Sequence, residues 1–545
     1  MLTKKLTILA ILLPTFVFHQ TPAAAQDSLL LRDYRFVKRQ DAWLTSPNAA
    51  GLTSLRADNI AQAELSLTKA DGWLTDYYQS PDVLQADAAV EAFCRLTPRT
   101  VVYGAISYGN FSGKSMTGSV FIDPTRRPFN IVEDSLTNPG TKHRDTYSLS
   151  GGVGVDVLSG LALGARLDYT AANYAKYKDL RHKNKLMDLR MSLGLTSTFN
   201  FQLSTFNLQH LGAYYTYHRN TESISFGTYG KSEKVYKSLI DYGGFFGIVE
   251  QFGNEGYTDK SHEMPLLTDG NTFGLQADIR VLPHLTFYNE VFLTAESGYY
   301  GRKSPFTITY TTHEARSHGY RGQLSLQLPP STRHQLSFSY VNEKLANKAN
   351  TFRELTNETS ATYYEYFDPV ETGDKQWDDF DVSYTGDYGI SGELPRWTLQ
   401  AGYHYTERKQ ASYLYPLYRH QELHIHQLSA SATRRFVCPK GVWSVHLGLA
   451  YQTGSGEPYQ DFTFQPSTSN LPPSTMEVFL AQECHYLTAS QYTLGGSVEY
   501  AFVFPGTRLK TYARGAVSHR AATETCDYSD NNHRTQATLT LGCTF

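Results

Sequence analysis

The residue types best suited to metal binding occur in one short stretch, 419–426. Histidine or glutamate occupies every second position in it: His420, Glu422, His424 and His426. On a β-strand these four side chains would share one face, and imidazole with carboxylate can bind Zn²⁺. However, four ligands along one strand span about 20 Å, which is too far for a single tetrahedral site. At most two could share a metal, with help from elsewhere, so we predict a polar strand face with no metal and no cofactor.

Catalytic motifs are missing from the sequence. It contains no Gly-x-Ser-x-Gly nucleophile elbow and no His-Glu-x-x-His motif. Acid–histidine pairs such as Asp259 with His262 are what chance supplies in a chain of this length. The sequence therefore predicts that the protein is not an enzyme.

An aromatic cluster at 362–369 gives a second chemical signal. Its tyrosines lie beside Glu365 and Asp368, and aromatic rings next to carboxylates suit sugars or other amphiphiles. Tyrosine is also common where proteins meet a membrane interface. Both interpretations stay open until the elements that carry these residues are known.

The first 25 residues have the form of a secretory signal peptide. Lys4 and Lys5 precede an apolar run, 6–18, that is too short to span a bilayer. Ala23 and Ala25 satisfy the small-x-small cleavage rule. We therefore expect three parts: a signal peptide at 1–25, an N-terminal segment at 26–59, and the remainder at 60–545.

The composition is unlike that of a soluble multidomain protein. A soluble chain of about 520 residues would form three or four domains. Here aromatic residues reach 13%, with 39 tyrosines, whereas charged residues are only 19%. The formal net charge of −3 gives no indication of nucleic-acid binding. No later apolar run is long enough for a transmembrane helix. A large secreted β-protein and an outer-membrane β-barrel are the two common explanations.

Long amphipathic strands favour the barrel. In 161–170, every odd-numbered side chain is apolar or aromatic, whereas Arg166 and Asp168 would point to the other face. A strand that crosses a membrane needs about 9–11 residues, while soluble strands average about five or six. The pattern recurs over long runs at 84–96, 147–157, 186–199, 273–281, 380–390 and 494–504.

Short turns and long polar loops alternate along nearly the whole chain. Turns such as 97–99 and 438–441 contrast with long loops at 113–145, 219–270, 298–312, 343–376, 454–490 and 520–532. This asymmetry is typical of outer-membrane barrels, whose periplasmic turns are short and whose external loops are long.

We therefore predict an all-β fold, a transmembrane antiparallel up-and-down β-barrel of about 18 strands. If weak strands such as 60–69 or 317–329 are absent, 14 or 16 strands would follow. The predicted strands are 60–69, 84–97, 100–112, 146–158, 161–173, 186–200, 205–218, 271–282, 285–297, 317–329, 333–343, 377–391, 396–408, 422–437, 442–453, 491–504, 509–520 and 533–545.

A barrel of this size has a lumen wide enough for an aqueous channel unless something fills it. The predicted loop 219–270 contains a stretch, 241–249, that is too apolar for an ordinary solvated loop. Its Tyr242, Phe245 and Phe246 could form a constriction or contact a hydrophobic ligand. Apolar packing among the external loops is the alternative.

The segment before the first strand contains Trp43-Leu-Thr-Ser-Pro-Asn-Ala-Ala-Gly51. This stretch resembles the entry to barrels of the long-chain fatty-acid transporter family, where an Asn-Pro-Ala-type motif opens a short hatch in the lumen. Here Pro47 precedes Asn48, so the motif is transposed, and that family typically has fewer strands. The resemblance implies a hatch that includes Trp43, Pro47, Asn48 and Gly51. A periplasmic tail packed on the barrel rim is the alternative.

The whole chain also resembles large outer-membrane barrels of Gram-negative bacteria that belong to uncharacterised, domain-of-unknown-function families. Residues 26–59 are too few for the globular plug of an energy-coupled receptor, so energised uptake is disfavoured.

The cysteines and the last residue complete the predictions. Cys484 and Cys526 would lie in successive external loops and could form a disulfide, and the other three of the five cysteines would be free. The chain ends in mid-strand on Phe545. This ending resembles the C-terminal signal that outer-membrane insertion machinery reads, so we expect Phe545 to serve insertion and the last strand to pair with the first.

These patterns predict an outer-membrane channel or passive transporter for small, amphiphilic or hydrophobic solutes. The N-terminal segment and infolded external loops would gate it. Its expected partners are outer-membrane lipid, the insertion machinery and a small solute, but not nucleic acid. Two alternatives stay open: a surface adhesin or structural barrel without transport, and an outer-membrane hydrolase.

Overall fold

The computed structural model describes most of the chain. The described residues are 30–133, 138–203, 206–227, 236–238, 248–249, 264–304, 306–328, 331–463, 477–504, 507, 509–527 and 529–545. The predicted signal peptide lies outside them. No helix within the described residues is long and apolar enough to cross a membrane.

Eighteen antiparallel strands form a closed barrel in which the last strand pairs with the first. Numbered in chain order with the smaller strands, they are β1 (Asn59–Asp71), β2 (Asp82–Thr97), β3 (Thr100–Met116), β5 (Gly140–Leu158), β6 (Leu161–Lys176), β7 (Arg181–Leu203), β8 (Phe206–Gly227), β11 (Met264–Leu282), β12 (Leu285–Ser304), β13 (Thr307–Leu328), β14 (Thr332–Ala349), β17 (Val370–Tyr388), β18 (Trp397–Leu414), β19 (Leu417–Cys438), β20 (Gly441–Gly456), β22 (Gln491–Val503), β23 (Lys510–Ala522) and β24 (His533–Thr544).

Smaller elements lie before the barrel and in its connections. Before β1 come the helix α1 (Tyr34–Arg39) and two 3₁₀ helices, Ala42–Thr45 and Ala49–Ser54. The connections carry β4 (Ile131–Glu133), β9 (Tyr236–Ser238), β10 (Ile248–Val249), β15 (Phe352–Thr356), β16 (Thr362–Tyr366), β21 (Gln460–Thr463) and the helix α2 (Glu477–Thr488).

The two faces of the barrel wall differ as the alternation predicts. Leu163, Leu193 and Leu293 point outward and are 46%, 63% and 66% exposed. Large apolar side chains this exposed are expected where a strand faces lipid. The intervening positions, such as Gly164 and Arg166, face the lumen. The wall is thus apolar outside and polar or small inside.

Each predicted strand corresponds to one barrel strand, so the prediction of eighteen is confirmed, including the weak strands at 60–69 and 317–329. Short turns gather at one end of the barrel, where β1 also begins and β24 ends. We call this the short-turn end. The opposite end, which carries the long connections, is the long-loop end.

Several strands extend further toward the long-loop end than predicted. Strand β8 reaches Gly227 and β11 begins at Met264, so part of the predicted loop 219–270 is strand. Strand β12 runs to Ser304 and β13 begins at Thr307, so most of the predicted loop 298–312 is strand. The reason is that the outward side chains in this extension, such as Glu314 and Arg316, are charged. The apolar alternation therefore stops while the hydrogen-bonded ladder continues.

Candidate functional site in the barrel lumen

The N-terminal segment, residues 30–58, folds into three short helical turns, each started by a capping side chain. Asp33 accepts a hydrogen bond from Phe36 N at 3.0 Å and starts α1. Asp41 accepts from Trp43 N at 3.0 Å, and Asn48 from Ala50 N at 3.1 Å, at the starts of the two 3₁₀ helices. Aspartate and asparagine are preferred caps because they satisfy helix N–H groups locally. The segment is therefore compact before it meets the wall.

A row of lumen-facing glycines receives the second 3₁₀ helix. Gly154, Gly164 and Gly194 are direct neighbours across β5, β6 and β7. A Cβ atom at Gly154 would lie 2.5 Å from Ala49 O, and one at Gly164 or Gly194 would overlap Ala50 N or Asn48 Oδ1. Because these clashes involve backbone or a fully buried side chain, only glycine permits the observed approach. The segment thus lies against the inside of the wall.

Asn48 joins the segment to the wall by hydrogen bonds and is completely buried. Its Nδ2 donates to Leu195 O at 3.0 Å and to Gln276 Oε1 at 2.9 Å. Gln276 Nε2 in turn donates to Ser46 Oγ at 2.6 Å. A buried polar group left without a partner costs about 1–3 kcal/mol. These mutual bonds therefore fix the position of the Ser46–Asn48 turn.

The other residues that the sequence assigned to a hatch lie around the same turn. The ring of Trp43 meets that of Tyr288 edge-on, with centroids 5.3 Å apart. A Cβ atom at Gly51 would lie 2.8 Å from Trp43 Cε3, so the lack of a side chain lets the two turns approach. Pro47 is half-buried. All four residues are close together within the barrel, while their role as a hatch stays a prediction.

Five ion pairs connect the segment to strands and a turn around the barrel. They lie near the short-turn end. Their partners come from β1, β2, β17, β19 and the turn after β17. The pairs are Arg32 with Glu393 (3.0 Å), Asp33 with Arg435 (3.1 Å), Arg35 with Glu64 (2.9 Å), Lys38 with Glu91 (2.7 Å), and Arg39 with Asp387.

The segment also has an apolar anchor next to its connection with β1. Buried residues of the segment, including Tyr34, Leu52 and Leu55, pack with Phe93 and Val101 of β2 and β3. The side toward β7, β8 and β11 is instead held by the Asn48 hydrogen bonds. One edge of the segment is therefore an apolar attachment, and the opposite edge is a polar one.

A cavity of about 540 Å³ lies between the segment and the inner wall of β18 to β24. Ser444, Ser497 and Thr538 contribute hydroxyl groups to its wall. Six cationic and two acidic side chains also line it: Arg32, Arg35, Arg39, Arg435, Lys510 and Arg514, with Asp33 and Glu499. Five of the six cationic groups are paired with carboxylates, so a small solute in this space would meet a polar surface of ion pairs and hydroxyl groups.

At the long-loop end, the connection between β3 and β5 crosses the mouth of the barrel. Arg126 reaches the far wall, where it pairs with Glu343 at 2.7 Å and with Asp379 at 2.5 Å. Lys375 Nζ donates to Arg127 O at 2.8 Å. These contacts pin residues 117–133 across the lumen, so this loop narrows the mouth.

The same loop is held by an aromatic core. Phe121, Phe129 and Ile131 are buried with Leu266 and Tyr300 of the opposite strands. Phe129 and Tyr300 pack edge-on, with centroids 5.1 Å apart. Burial of such side chains is worth about 1.5–3 kcal/mol each, so this core holds the loop firmly.

Helix α2 enters the mouth from the other side. Glu483 forms two hydrogen bonds with Arg408 of β18, at 3.0 and 2.7 Å, and both side chains are buried. Phe479 packs on Tyr77 and Val132, which joins α2 to the crossing loop. Nearby, burial and then the Glu483 carboxylate raise the pKa of Asp76 well above its ordinary value.

The constriction that the sequence predicts in the loop 219–270 stays a prediction. Tyr242, Phe245 and Phe246 lie outside the described residues. The described constriction comes from 117–133 and α2, which the sequence analysis treated as polar loops. The runs Ser-Val-Phe-Ile and Pro-Phe-Asn-Ile-Val within 113–145 are an apolar signal that could have indicated it.

The predicted Cys484–Cys526 disulfide does not form, because all five cysteines are free thiols. Cys484 is fixed on α2, and its Sγ lies 3.9 Å from Gly456 O and 3.8 Å from Thr488 Oγ1. The sequence placed both cysteines in loops, whereas a helix sets the direction of one of them. Burial raises the pKa of the Cys484 thiol.

The C-terminal residue completes the barrel seam. Phe545 N donates to Ala61 O at 3.0 Å, and Phe545 O accepts from Ala61 N at 2.8 Å. Strand β24 pairs with β1 along its length, as expected. The role of Phe545 in insertion stays a prediction.

The aromatic cluster lies on β16, which pairs with β15 in a hairpin of the external connection between β14 and β17. Phe352 packs edge-on against Tyr364, with centroids 5.5 Å apart. Arg353 pairs with Glu365 across the hairpin. The structure thus shows internal pairing of these groups, and a sugar-binding role stays a prediction.

These features define a closed β-barrel of the outer-membrane type with an occupied lumen. The chain belongs to the family of unknown function DUF6850, whose model matches residues 49–545. A comparison with curated proteins gives no match. The comparisons do not show the resemblance to the fatty-acid transporter family, and eighteen strands exceed the number typical of that family.

The solved structures that the chain resembles include outer-membrane receptors and an outer-membrane transporter. The ferric preacinetobactin receptor BauA from Acinetobacter baumannii has 10% identity and a TM-score of 0.43, covering 90% of this chain and 80% of that one. The alcaligin receptor FauA from Bordetella pertussis has 10% identity and a TM-score of 0.39, covering 89% and 76%. The outer-membrane transporter YddB from Escherichia coli has 8% identity and a TM-score of 0.41, covering 90% and 81%. At these scores the likeness gives no information on function.

Proposed function

We propose that the protein is an outer-membrane channel or passive transporter for small solutes. The N-terminal segment closes its lumen, and the loop 117–133 with α2 narrows its mouth. The outward leucines support a location in a membrane, because exposed apolar side chains on every second position are stable only in lipid. The polar inner face supports a water-filled path.

The observation that carries this proposal is the contact of the Ser46–Asn48 turn with the wall. Hydrogen bonds through Asn48 and Gln276 hold this turn over the glycine row. In an aqueous lumen these groups would exchange protein partners for water, so their release costs far less than the opening of an apolar core. The apolar anchor at β1–β3 would keep the released segment attached.

The cavity supports a small polar solute. Its volume of about 540 Å³ lies within the usual range for small-molecule sites. Hydroxyl and cationic groups predominate among its lining side chains. Among the amphiphilic and hydrophobic solutes that the sequence suggested, the lining favours those with a polar or anionic part.

Conductance in planar bilayers tests the proposal. We expect purified full-length protein to conduct weakly, and a variant that lacks residues 27–58 to conduct more, with the mouth still limiting the current. Heat-modifiable migration on gels would show that the full-length protein and the deletion variant both form a folded barrel. A bilayer that stays sealed before and after the deletion would refute the channel and favour an adhesin or a structural barrel.

Two further assays separate the alternatives. Liposome swelling with neutral, anionic and cationic sugars of equal size should show faster entry of anionic than of cationic solutes through the full-length protein, which keeps Arg32, Arg35 and Arg39 in the cavity wall. Hydrolysis of lipid esters or peptides by pure protein would instead favour the hydrolase alternative.

A further inference from the structure

Three metal-ligand side chains meet on the outside of the barrel near the long-loop end. Glu407 on β18 lies directly opposite His424 on β19, and Glu422 is two residues from His424 on the same face. One ligand atom from each of the three lies within 4.8 Å of the others. Of the alternating residues in 419–426, only Glu422 and His424 belong to this group. The third ligand, Glu407, comes from the neighbouring strand β18.

The imidazole of His424 is already oriented toward the carboxylates. Its Nδ1 lies 2.9 Å from the Tyr405 hydroxyl, and the two rings are stacked at an interplanar angle of 15°. Its other nitrogen, Nε2, lies 3.5 Å from Glu422 Oε1. A ligating histidine usually has its second ring nitrogen held in this way. The Tyr405 contact thus leaves Nε2 available as the ligand atom.

The position between the two carboxylates already attracts a cation. Lys409 Nζ lies 2.8 Å from Glu407 Oε1 and 3.3 Å from Glu422 Oε1. All three candidate ligands are only half-buried, so ions from solution can reach them. An ammonium group in this place shows where a positive ion is electrostatically favoured, and it would compete with an added ion.

We propose that Glu407, Glu422 and His424 form a binding site for a divalent transition metal such as Zn²⁺. One imidazole with two carboxylates matches the donor preference of zinc, and three protein ligands leave a fourth position for water. The lysine side chain moves aside when the metal binds. This site is independent of the lumen and of the proposed transport function.

The neighbouring histidine provides a matched control. His426 lies two residues further along the same outward face, but its Nδ1 is 2.9 Å from the Tyr403 hydroxyl. Within the described part of the chain, the group of possible metal ligands contains Glu407, Glu422 and His424 but not His426. His424→Ala and His426→Ala therefore remove the same chemical group from adjacent places, with only the first at the proposed site.

Zn²⁺ titration of the purified full-length protein in detergent, by calorimetry and by competition with a chromogenic chelator, tests the site. His424→Ala or Glu407→Gln should weaken one binding event by about 10- to 100-fold, and Tyr405→Phe by about tenfold. Lys409→Met should strengthen it by about fivefold, since a competing surface ion pair is removed. His426→Ala should bind as the wild type does.

Three results would overturn the proposal: no Zn²⁺ uptake by the wild type, equal binding by His424→Ala and the wild type, or equal losses in His424→Ala and His426→Ala. Cobalt(II) replaces zinc in an independent readout. A tetrahedral visible absorption band in the wild type and in His426→Ala, but not in His424→Ala, supports the site. The same band in all three proteins rejects it.

Discussion

The N-terminal segment and the mouth of the barrel both restrict the lumen, but different contacts hold them. The edge of the N-terminal segment that faces β7, β8 and β11 lies against glycines of the wall. It is fixed there by the hydrogen bond between Asn48 and Gln276. The mouth is held by an aromatic core around Phe129 and by the buried pair of Arg408 with Glu483. The first attachment is mainly polar, and the second combines apolar burial with buried charge.

This difference indicates which restriction moves more easily. Polar groups released into a wet lumen regain hydrogen bonds to water, whereas aromatic side chains released from a core lose their burial energy. We therefore expect the segment to open at a lower free-energy cost than the mouth. Each of the following experiments changes one side of this comparison and asks whether the other side responds.

The largest expected effect is at the mouth. Arg408→Met leaves Glu483 as a buried charge without its cation, and loss of one partner of a buried pair costs about 3–5 kcal/mol. We expect α2 to undock more often, and maleimide to label buried Cys484 at least about 100-fold faster. The measurement uses a background in which the other four cysteines are replaced by serine.

The control for this experiment is Arg316→Met on the exposed outer face. Its labelling rate should equal that of the parent. Unchanged labelling in Arg408→Met would contradict a mouth held by this pair.

Gly164→Val should displace the N-terminal segment without affecting the mouth. The new side chain would overlap the backbone of Ala50, and overpacking of this kind costs about 1–3 kcal/mol. We expect bilayer conductance to approach that of the variant lacking residues 27–58, while Cys484 labelling stays unchanged.

Gly515→Val is the matched control, because a Cβ atom at Gly515 meets nothing within 4 Å. If both valine variants conduct alike, the glycine row does not hold the segment.

Asn48→Ala should have a smaller effect of the same kind. It removes the donor to Gln276 Oε1 and the acceptor for the N–H of Ala50, at a cost of about 1–3 kcal/mol. We expect a conductance increase of about tenfold, since 1.4 kcal/mol changes an equilibrium by that factor. The effect of the double variant with Gln276→Ala should be smaller than the sum of the two single effects, because both substitutions remove the Asn48–Gln276 hydrogen bond. Fully additive effects would show that the two side chains act separately.

The smallest expected effect is a pH dependence of the mouth. Burial and the neighbouring Glu483 raise the pKa of Asp76 in the closed mouth, and opening would return this pKa toward its ordinary value. At a pH between the ordinary and the raised pKa, closure of the mouth is therefore accompanied by protonation of Asp76. The stabilisation is fully present below the ordinary pKa and is lost as the pH rises through the raised one.

We thus expect Cys484 labelling to increase with pH more steeply in the wild type than in Asp76→Asn, which mimics the protonated form. Ionisation of the Cys484 thiol affects the labelling rate of both proteins equally, so it cancels in the ratio of the wild-type rate to the Asp76→Asn rate at each pH. A constant ratio would show that Asp76 does not couple to the mouth.

The barrel was predictable because each strand records its environment locally. Alternation in runs such as 161–170 comes from contact with lipid on one side and water on the other, and it needs no knowledge of distant residues. The apolar alternation no longer predicted a strand where one face of the strand is no longer apolar. Strands β12 and β13 continue with charged residues on the outer face, and the sequence analysis assigned a loop there.

The lumen was harder to predict because its contacts join distant parts of the chain. The sequence indicated the stretch from Trp43 to Gly51, but nothing in it identifies Gln276 as the partner of Asn48. It also gave no indication that Arg126 would reach Glu343 and Asp379, or that α2 would form within a predicted loop. These partners meet only because closure of the barrel brings opposite walls within reach of one loop.

The sequence alone determined the eighteen strands, the direction of each strand face and the seam closed by the last strand. Local alternation, turn residues and the chain ends encode all of these. Only the tertiary structure decided what occupies the lumen, which glycines receive the N-terminal segment, and which side chains share an outward metal-ligand cluster. These features depend on which strands become neighbours in the closed barrel and which residues face each other across the lumen, and a linear pattern does not contain that information.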